Sequence, residues 1–111
     1  MAFDVITPVQ LGQAAITVAE ATLYIVPAST RTFVKDLSIC NTTSGAVSLN
    51  VHLVPSGGTA GTSNALFYGA SIPPNGTLQW NGVQILNAGG FIVTSASAAG
   101  LTITASGAEA V

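Results

Sequence analysis

Phe33-Val34-Lys35-Asp36-Leu37-Ser38-Ile39-Cys40 is followed by Asn41-Thr42-Thr43-Ser44-Gly45 and then by Ala46-Val47-Ser48-Leu49-Asn50-Val51-His52-Leu53-Val54. In the last segment every odd position is apolar, and the positions between are mostly small and polar. A period of two sends successive side chains to opposite faces, so this pattern predicts a strand buried on one side. The first segment keeps the same parity through Phe33, Leu37 and Ile39, and the five residues between the segments are turn formers. The whole stretch therefore predicts a long antiparallel hairpin, with Ile39 opposite Val47, Leu37 opposite Leu49 and Phe33 opposite Leu53 on a dry face. Cys40, Ser38, Asp36, Ala46, Ser48, Asn50 and His52 would share the wet face. Lys35 falls on the dry parity. That predicts either a bulge near Lys35-Asp36 or an edge position from which the lysine stem reaches outward.

The flanking sequence repeats this strand rhythm. Met1 to Gln13 contains Pro8 and Gly12 and has no clean period, which predicts an extended N-terminal arm over residues 1–13 ahead of a domain over 14–111. Ala14 to Ala21 is expected as a short strand, and Thr22 to Val26, β-branched and aromatic, as another that stops at the turn Pro27-Ala28-Ser29-Thr30. Pro55 to Asn64 has three glycines and no large apolar group, the composition of a mobile surface loop. Ala65 to Ile72 reads as a strand closed by the turn Pro73-Pro74-Asn75-Gly76. Thr77 to Leu86 carries Leu78 and Trp80 in one phase and Val83 and Ile85 in the other, so a bulge or tight bend is expected at Asn81-Gly82. Phe91 to Ser97 and Leu101 to Ser106 are expected as a closing hairpin, with Leu101, Ile103 and Ala105 on one face. Seven or eight short strands, turn signals about every 8–12 residues and no helical pattern predict an all-β fold: an antiparallel, jelly-roll-like β-sandwich.

Charge narrows the function classes. Asp4, Glu20, Arg31, Lys35, Asp36 and Glu109 are the only formally charged residues, 5% of the chain, against about 25% in ordinary soluble domains. From Leu37 to Ala108 no Asp, Glu, Lys or Arg occurs. A free monomer keeps a charged surface that limits self-association, so a neutral one suits a subunit covered by neighbours. Two basic residues cannot neutralise a useful number of phosphates, which argues against nucleic acid and against an anionic membrane surface. No uninterrupted apolar run approaches the roughly 20 residues of a membrane helix. The N-terminus lacks the basic and apolar regions of a secretory signal, and the single Cys40 allows no internal disulfide.

Reactive chemistry is scarce. One histidine and one cysteine cannot build a structural zinc site, and no metal or cofactor site is expected. Within the predicted hairpin Cys40 and His52 share a face but stand about 20 Å apart at 3.3 Å per residue, far beyond the roughly 3 Å a nucleophile and its base require. The four carboxylates are scattered, with no near pair for general acid–base work. The glycines of Ser56-Gly57-Gly58-Thr59-Ala60-Gly61 lack the lysine of a phosphate loop. No catalytic residues are expected, and the protein is predicted not to be an enzyme. Trp80 and Tyr68, with Gln79, Asn81 and Asn75 nearby in sequence, are the residues from which a glycan platform could be built, although Trp80 shares its parity with Leu78 and so reads first as core.

Four phrases resemble small bacteriophage virion proteins encoded among head and structural genes: Leu23-Tyr24-Ile25-Val26-Pro27-Ala28, Leu37-Ser38-Ile39-Cys40-Asn41-Thr42-Thr43, Ile72-Pro73-Pro74-Asn75-Gly76-Thr77-Leu78 and Leu101-Thr102-Ile103-Thr104-Ala105-Ser106-Gly107. The resemblance covers most of the chain after residue 20. It implies a capsid decoration or cement protein on the outer surface of the virion, a homotrimer that clamps neighbouring copies of the major capsid protein and has no catalytic motif. On this expectation Asp4, Val5 and Ile6 form the capsid-contacting arm, and His52 lies at a sheet surface or partner contact. The alternative is a tail, collar or fibre-associated module that binds host glycans through Trp80 and Tyr68.

Overall fold

Leu37, Ile39, Leu49 and Val51 are completely buried, and they meet in the interior between two facing sheets rather than within one. The computed structural model describes residues 5–111. Its strands are β1 (Ile6–Ile16), β2 (Ala21–Ile25), β3 (Arg31–Asn41), β4 (Val47–Val54), β5 (Ala65–Ile72), β6 (Thr77–Leu86), β7 (Phe91–Ala96) and β8 (Leu101–Ala110). One sheet has the order β1-β8-β3-β6 and the other β2-β7-β4-β5. All six strand pairs are antiparallel. An eight-stranded double sheet wound in this order is a jelly roll, the fold class the strand rhythm predicts.

The predicted hairpin between the two halves of the opening stretch does not form. β3 pairs with β6 and β8, whereas β4 pairs with β5 and β7. The same holds at the C-terminus, where β7 and β8 belong to different sheets. From Leu37 onward the apolar parity is right in both places, and the partner is wrong. A one-sided strand needs its dry face covered, and the opposite sheet covers it as well as a neighbour would.

The crossing from β3 to β4 is held by Asn41, which is fully buried at the end of β3. Its amide nitrogen donates to the carbonyls of Gly45 (2.8 Å), Ile72 (3.1 Å) and Pro73 (3.2 Å). Its amide oxygen accepts from the backbone N–H of Thr43 (3.0 Å) and from the Thr43 hydroxyl (2.7 Å). One side chain thus ties the crossing to the β5–β6 turn, whose Gly76 N–H closes on the Pro73 carbonyl at 3.0 Å as Pro73-Pro74-Asn75-Gly76 predicts.

Lys35 does mark a bulge. The register of β3 against both its neighbours shifts between Val34 and Asp36, and Lys35 is exposed. The extra residue reverses the parity upstream, so Val34 rather than Phe33 is the fully buried residue, and Phe33 sits half-buried on the outer face. On β6, Leu78 and Trp80 pack on the core and Leu86 is buried. Val83 and Ile85 turn outward instead, 58% and 55% exposed. The irregularity expected at Asn81-Gly82 coincides with the register shift opposite Lys35. Leu101, Ile103 and Ala105 line one face of β8 and are buried as expected.

The N-terminal arm is a corrected expectation from Ile6 onward: those residues are β1, paired along its length with β8. A bulge between Gln10 and Gly12 turns Leu11 into the core. Gly12 lies where β1 leans on β2: a Cβ there would come within 2.9 Å of the Leu23 side chain and force it to shift. The short strand expected over Ala14–Ala21 is the end of β1 followed by a bend.

Tyr24 links the two sheets. From β2 it donates its hydroxyl hydrogen to Glu109 of β8 and lies 2.7 Å from the hydroxyl of Thr32 on β3. Burial, and then the hydrogen bond to the Glu109 carboxylate, push the phenol up to about 12. The folded state therefore holds this proton at a pH where an unfolded tyrosine, near pKa 10, has lost it. Stability from this group is complete below about pH 10 and drains away as the pH climbs toward 12. Thermal melts across that window should fall steeply for the native chain, and Tyr24→Phe should flatten the fall. Parallel slopes for the two proteins would show that Tyr24 is not responsible.

Candidate interaction surface

Residues opposite one another in an antiparallel pair share a face, so the register places the outer side chains of the β1-β8-β3-β6 sheet. Gln13, Thr104, Ser38 and Gln79 form one row across all four strands, and Gln10, Ser106, Asp36 and Asn81 the next. These rows are hydrogen-bonded: Gln13 to Thr104 (3.2 Å), Ser38 to Gln79 (2.6 Å), and Asp36 accepting from Gln79 (2.6 Å) and Asn81 (3.3 Å). Toward the other end the rows turn apolar, with Pro8, Ala108, Phe33 and Ile85 in one and Ile6 beside Ala110 in the next. The face is thus a polar platform with a single carboxylate, Asp36, and an apolar end.

The opposite sheet is more extreme. None of the residues of β2, β7, β4 or β5 is Asp, Glu, Lys or Arg. Part of its outer side is roofed by the Pro55–Asn64 segment, which is organised rather than loose. Asn64 accepts from Gly61 N–H (3.1 Å) and donates to the Thr59 carbonyl (2.9 Å), and a single 3-10 turn spans Thr62–Asn64.

His52 lies beneath that roof, only 3% exposed, with Nδ1 3.0 Å from the Gly61 carbonyl and 3.1 Å from Asn64 Oδ1. A carbonyl can only accept, so Nδ1 carries the hydrogen. This corrects its expected place at a partner contact: His52 holds the loop onto β4 and has no free surface to offer. Cys40 and His52 stand in different sheets, so no nucleophile pair is assembled. Cys40 is half-buried on the outer row with Thr102 and Thr77. Among the described residues, no group of three or more His, Cys, Asp or Glu could hold a metal.

The glycan platform does not come together as expected. Trp80 packs against the core from β6, while Tyr68, 68% exposed, sits on β5 of the other sheet. Tyr68 precedes Gly69, whose φ of +67° and whose hydrogen bond to Asn50 Oδ1 (2.7 Å) make a bulge there. Val5 and Ile6 do project, 57% and 58% exposed. Val5 is held by paired backbone bonds with Val111 (3.2 and 2.9 Å), so Val5, Ile6 and Val111 form one apolar corner. Asp4 lies outside the described residues. The Asn41 hub had no signature in the amino-acid pattern, since Asn in a turn cluster looks the same whether its side chain is buried or wet. Exposure of Val83 and Ile85 was equally hidden, because alternation marks two faces without saying which is dry.

No protein-family model and no curated protein matches this chain. Among solved structures, a chain of the Gx strain of infectious bursal disease virus is similar over 96% of this chain, at 15% identity and a TM-score of 0.50. A chain of the T13 particle of the same virus is similar over 95%, at 11% identity and a TM-score of 0.52. This chain spans about a third of the length of those viral chains, 32% and 30%. A chain of the Bacillus endospore appendages, described as disulfide-linked pili, is similar over 96% of this chain and 86% of its own length, at 15% identity and a TM-score of 0.50. At these identities the likeness is one of fold, a jelly-roll sandwich common to particle-forming and fibre-forming chains.

Proposed function

We propose that this chain is a structural virion protein that sits on the outer surface of a bacteriophage head and ties neighbouring copies of the major capsid protein together. The observation that carries this reading is the neutral surface: one whole sheet without a formal charge and a polar platform on the other. Such faces bury against a partner without the desolvation penalty of ionised groups. A cement protein gains its hold from many weak, repeated contacts and needs no reactive group. The viral and pilus neighbours support a fold suited to large assemblies.

The apolar corner of Val5, Ile6 and Val111 is the proposed capsid contact. Replacing Val5 and Ile6 together by serine should lower occupancy on particles by about tenfold or more, since each tenfold step is about 1.4 kcal/mol. Electron microscopy of particles with and without the protein measures this directly. Density on the head surface that thins in the double variant is the expected result. Unchanged occupancy would remove this corner from the contact, and density confined to the tail would overturn the decoration role. A glycan-binding tail module is less well supported, because Trp80 leans on the core from β6 and Tyr68 lies in the other sheet.

A further inference from the structure

We infer that the flank bearing β5 and β6 is the contact through which two copies of this chain associate about a two-fold axis, with β6 pairing antiparallel to the partner's β6. This inference does not depend on where in a larger assembly the pair is used.

β6 is an edge strand, bonded to β3 on one side only, so a row of its backbone donors and acceptors faces outward over ten residues. Native edges are normally blunted by charge, proline, bulges or brevity. The other three edges here follow that rule. β1 carries Pro8 and the bulge at Leu11, β2 is five residues long with a register shift, and β5 is bulged at Tyr68-Gly69. β6 has one irregularity, the register shift between Asn81 and Gln84, but no charge and no proline; it is ten residues long and displays Val83 and Ile85 beside the open edge.

Beneath this edge the sandwich is open. Leu66 and Phe67 on β5 and Leu78 and Trp80 on β6 touch the core yet are only partly buried, and Gln84 shares a groove with Leu53 and Leu66. The opposite flank is closed by the packing of β1 on β2. Apolar side chains left half-covered along an open, uncharged edge need a cover, and an added strand supplies both the hydrogen bonds and the burial.

Charge selects the occupant. A two-fold contact brings each residue near its own copy, so any charge at its centre meets a like charge. β5 and β6 contain none, which makes this flank self-compatible. Antiparallel direction is what a two-fold axis perpendicular to the sheet imposes on two copies of one strand. Size is sufficient as well. The molecule measures 47 × 25 × 19 Å, so its flank can supply the roughly 800 Å² per partner of a standard interface.

The test uses the full chain. Sedimentation and light scattering from low to high micromolar concentration should give a dimer mass. Backbone amides of Thr77–Leu86 should exchange more slowly as the dimer forms, with β1 amides unaffected. Val83→Lys combined with Ile85→Lys should leave the circular dichroism and melting curve unchanged, because both side chains are more than half exposed, and should yield a monomer. A wild-type monomer throughout would overturn the inference. So would a trimer or larger species that survives both lysines, or protection that appears on β1 in place of β6.

Discussion

Asn41→Ala should destabilise the protein by about 3 kcal/mol, because a buried group left without its partner costs about 1–3 kcal/mol and this side chain serves several. The carbonyls of Gly45, Ile72 and Pro73 lose a donor together, and Thr43 loses the oxygen that accepts from both its N–H and its hydroxyl. Asn41 is fully buried, so water cannot step in without a cavity opening. Asn41→Asp is the sharper variant. It keeps the acceptor toward Thr43 but turns an anionic oxygen on three carbonyls, so at neutral pH it should be at least as damaging as alanine. Urea unfolding of the three proteins measures this. A loss below about 1 kcal/mol for both variants would mean that the crossing between the sheets is held by something other than this side chain.

Leu37→Ala should cost about 2–5 kcal/mol, the range for emptying a filled leucine site. Phe33→Ala should cost less, although it deletes more atoms. Leu37 is completely buried on the inner face, whereas Phe33 lies on the outer face and keeps part of its surface in water. The comparison tests the bulge at Lys35 as well as the core. Without that bulge Phe33 would hold the inner position and Val34 the outer, and the order of the two losses would reverse. Equilibrium unfolding of both variants decides between the two registers. At Gly107, opposite Val34 in this bulge, the backbones approach so closely that a Cβ would overlap the Phe33 carbonyl oxygen.

The neutrality of the surface links these stability arguments to function. Burial of Leu37, Ile39, Leu49, Val51, Ile92 and Ile103 supplies the hydrophobic drive, so the outer rows are free to be polar, with Asp36 the one carboxylate among those named. They are what remains to meet a partner. An outer face of Gln, Thr, Ser and Asn whose members bond one another has few unmet polar groups and resists nonspecific adhesion. The apolar corner of Val5, Ile6 and Val111 and the β6 edge lack that protection, and both proposed contacts use them.

The amino-acid sequence by itself determined that the fold is all-β, where nearly every strand lies and, for most strands, which parity is dry; Phe33, Val83 and Ile85 are exceptions that the folded chain turns outward. Those properties follow from side-chain alternation and turn chemistry, which are local. It also showed the near absence of charge and marked Lys35 as a break in phase. Only the tertiary structure decided which strands pair, that β3 and β4 lie in opposite sheets, that residues from Ile6 onward form an edge strand, and that His52 is covered by a loop. Those outcomes depend on contacts between residues far apart in the chain. A dry face is satisfied equally by a neighbouring strand or by the facing sheet, and the period of two is the same in both cases.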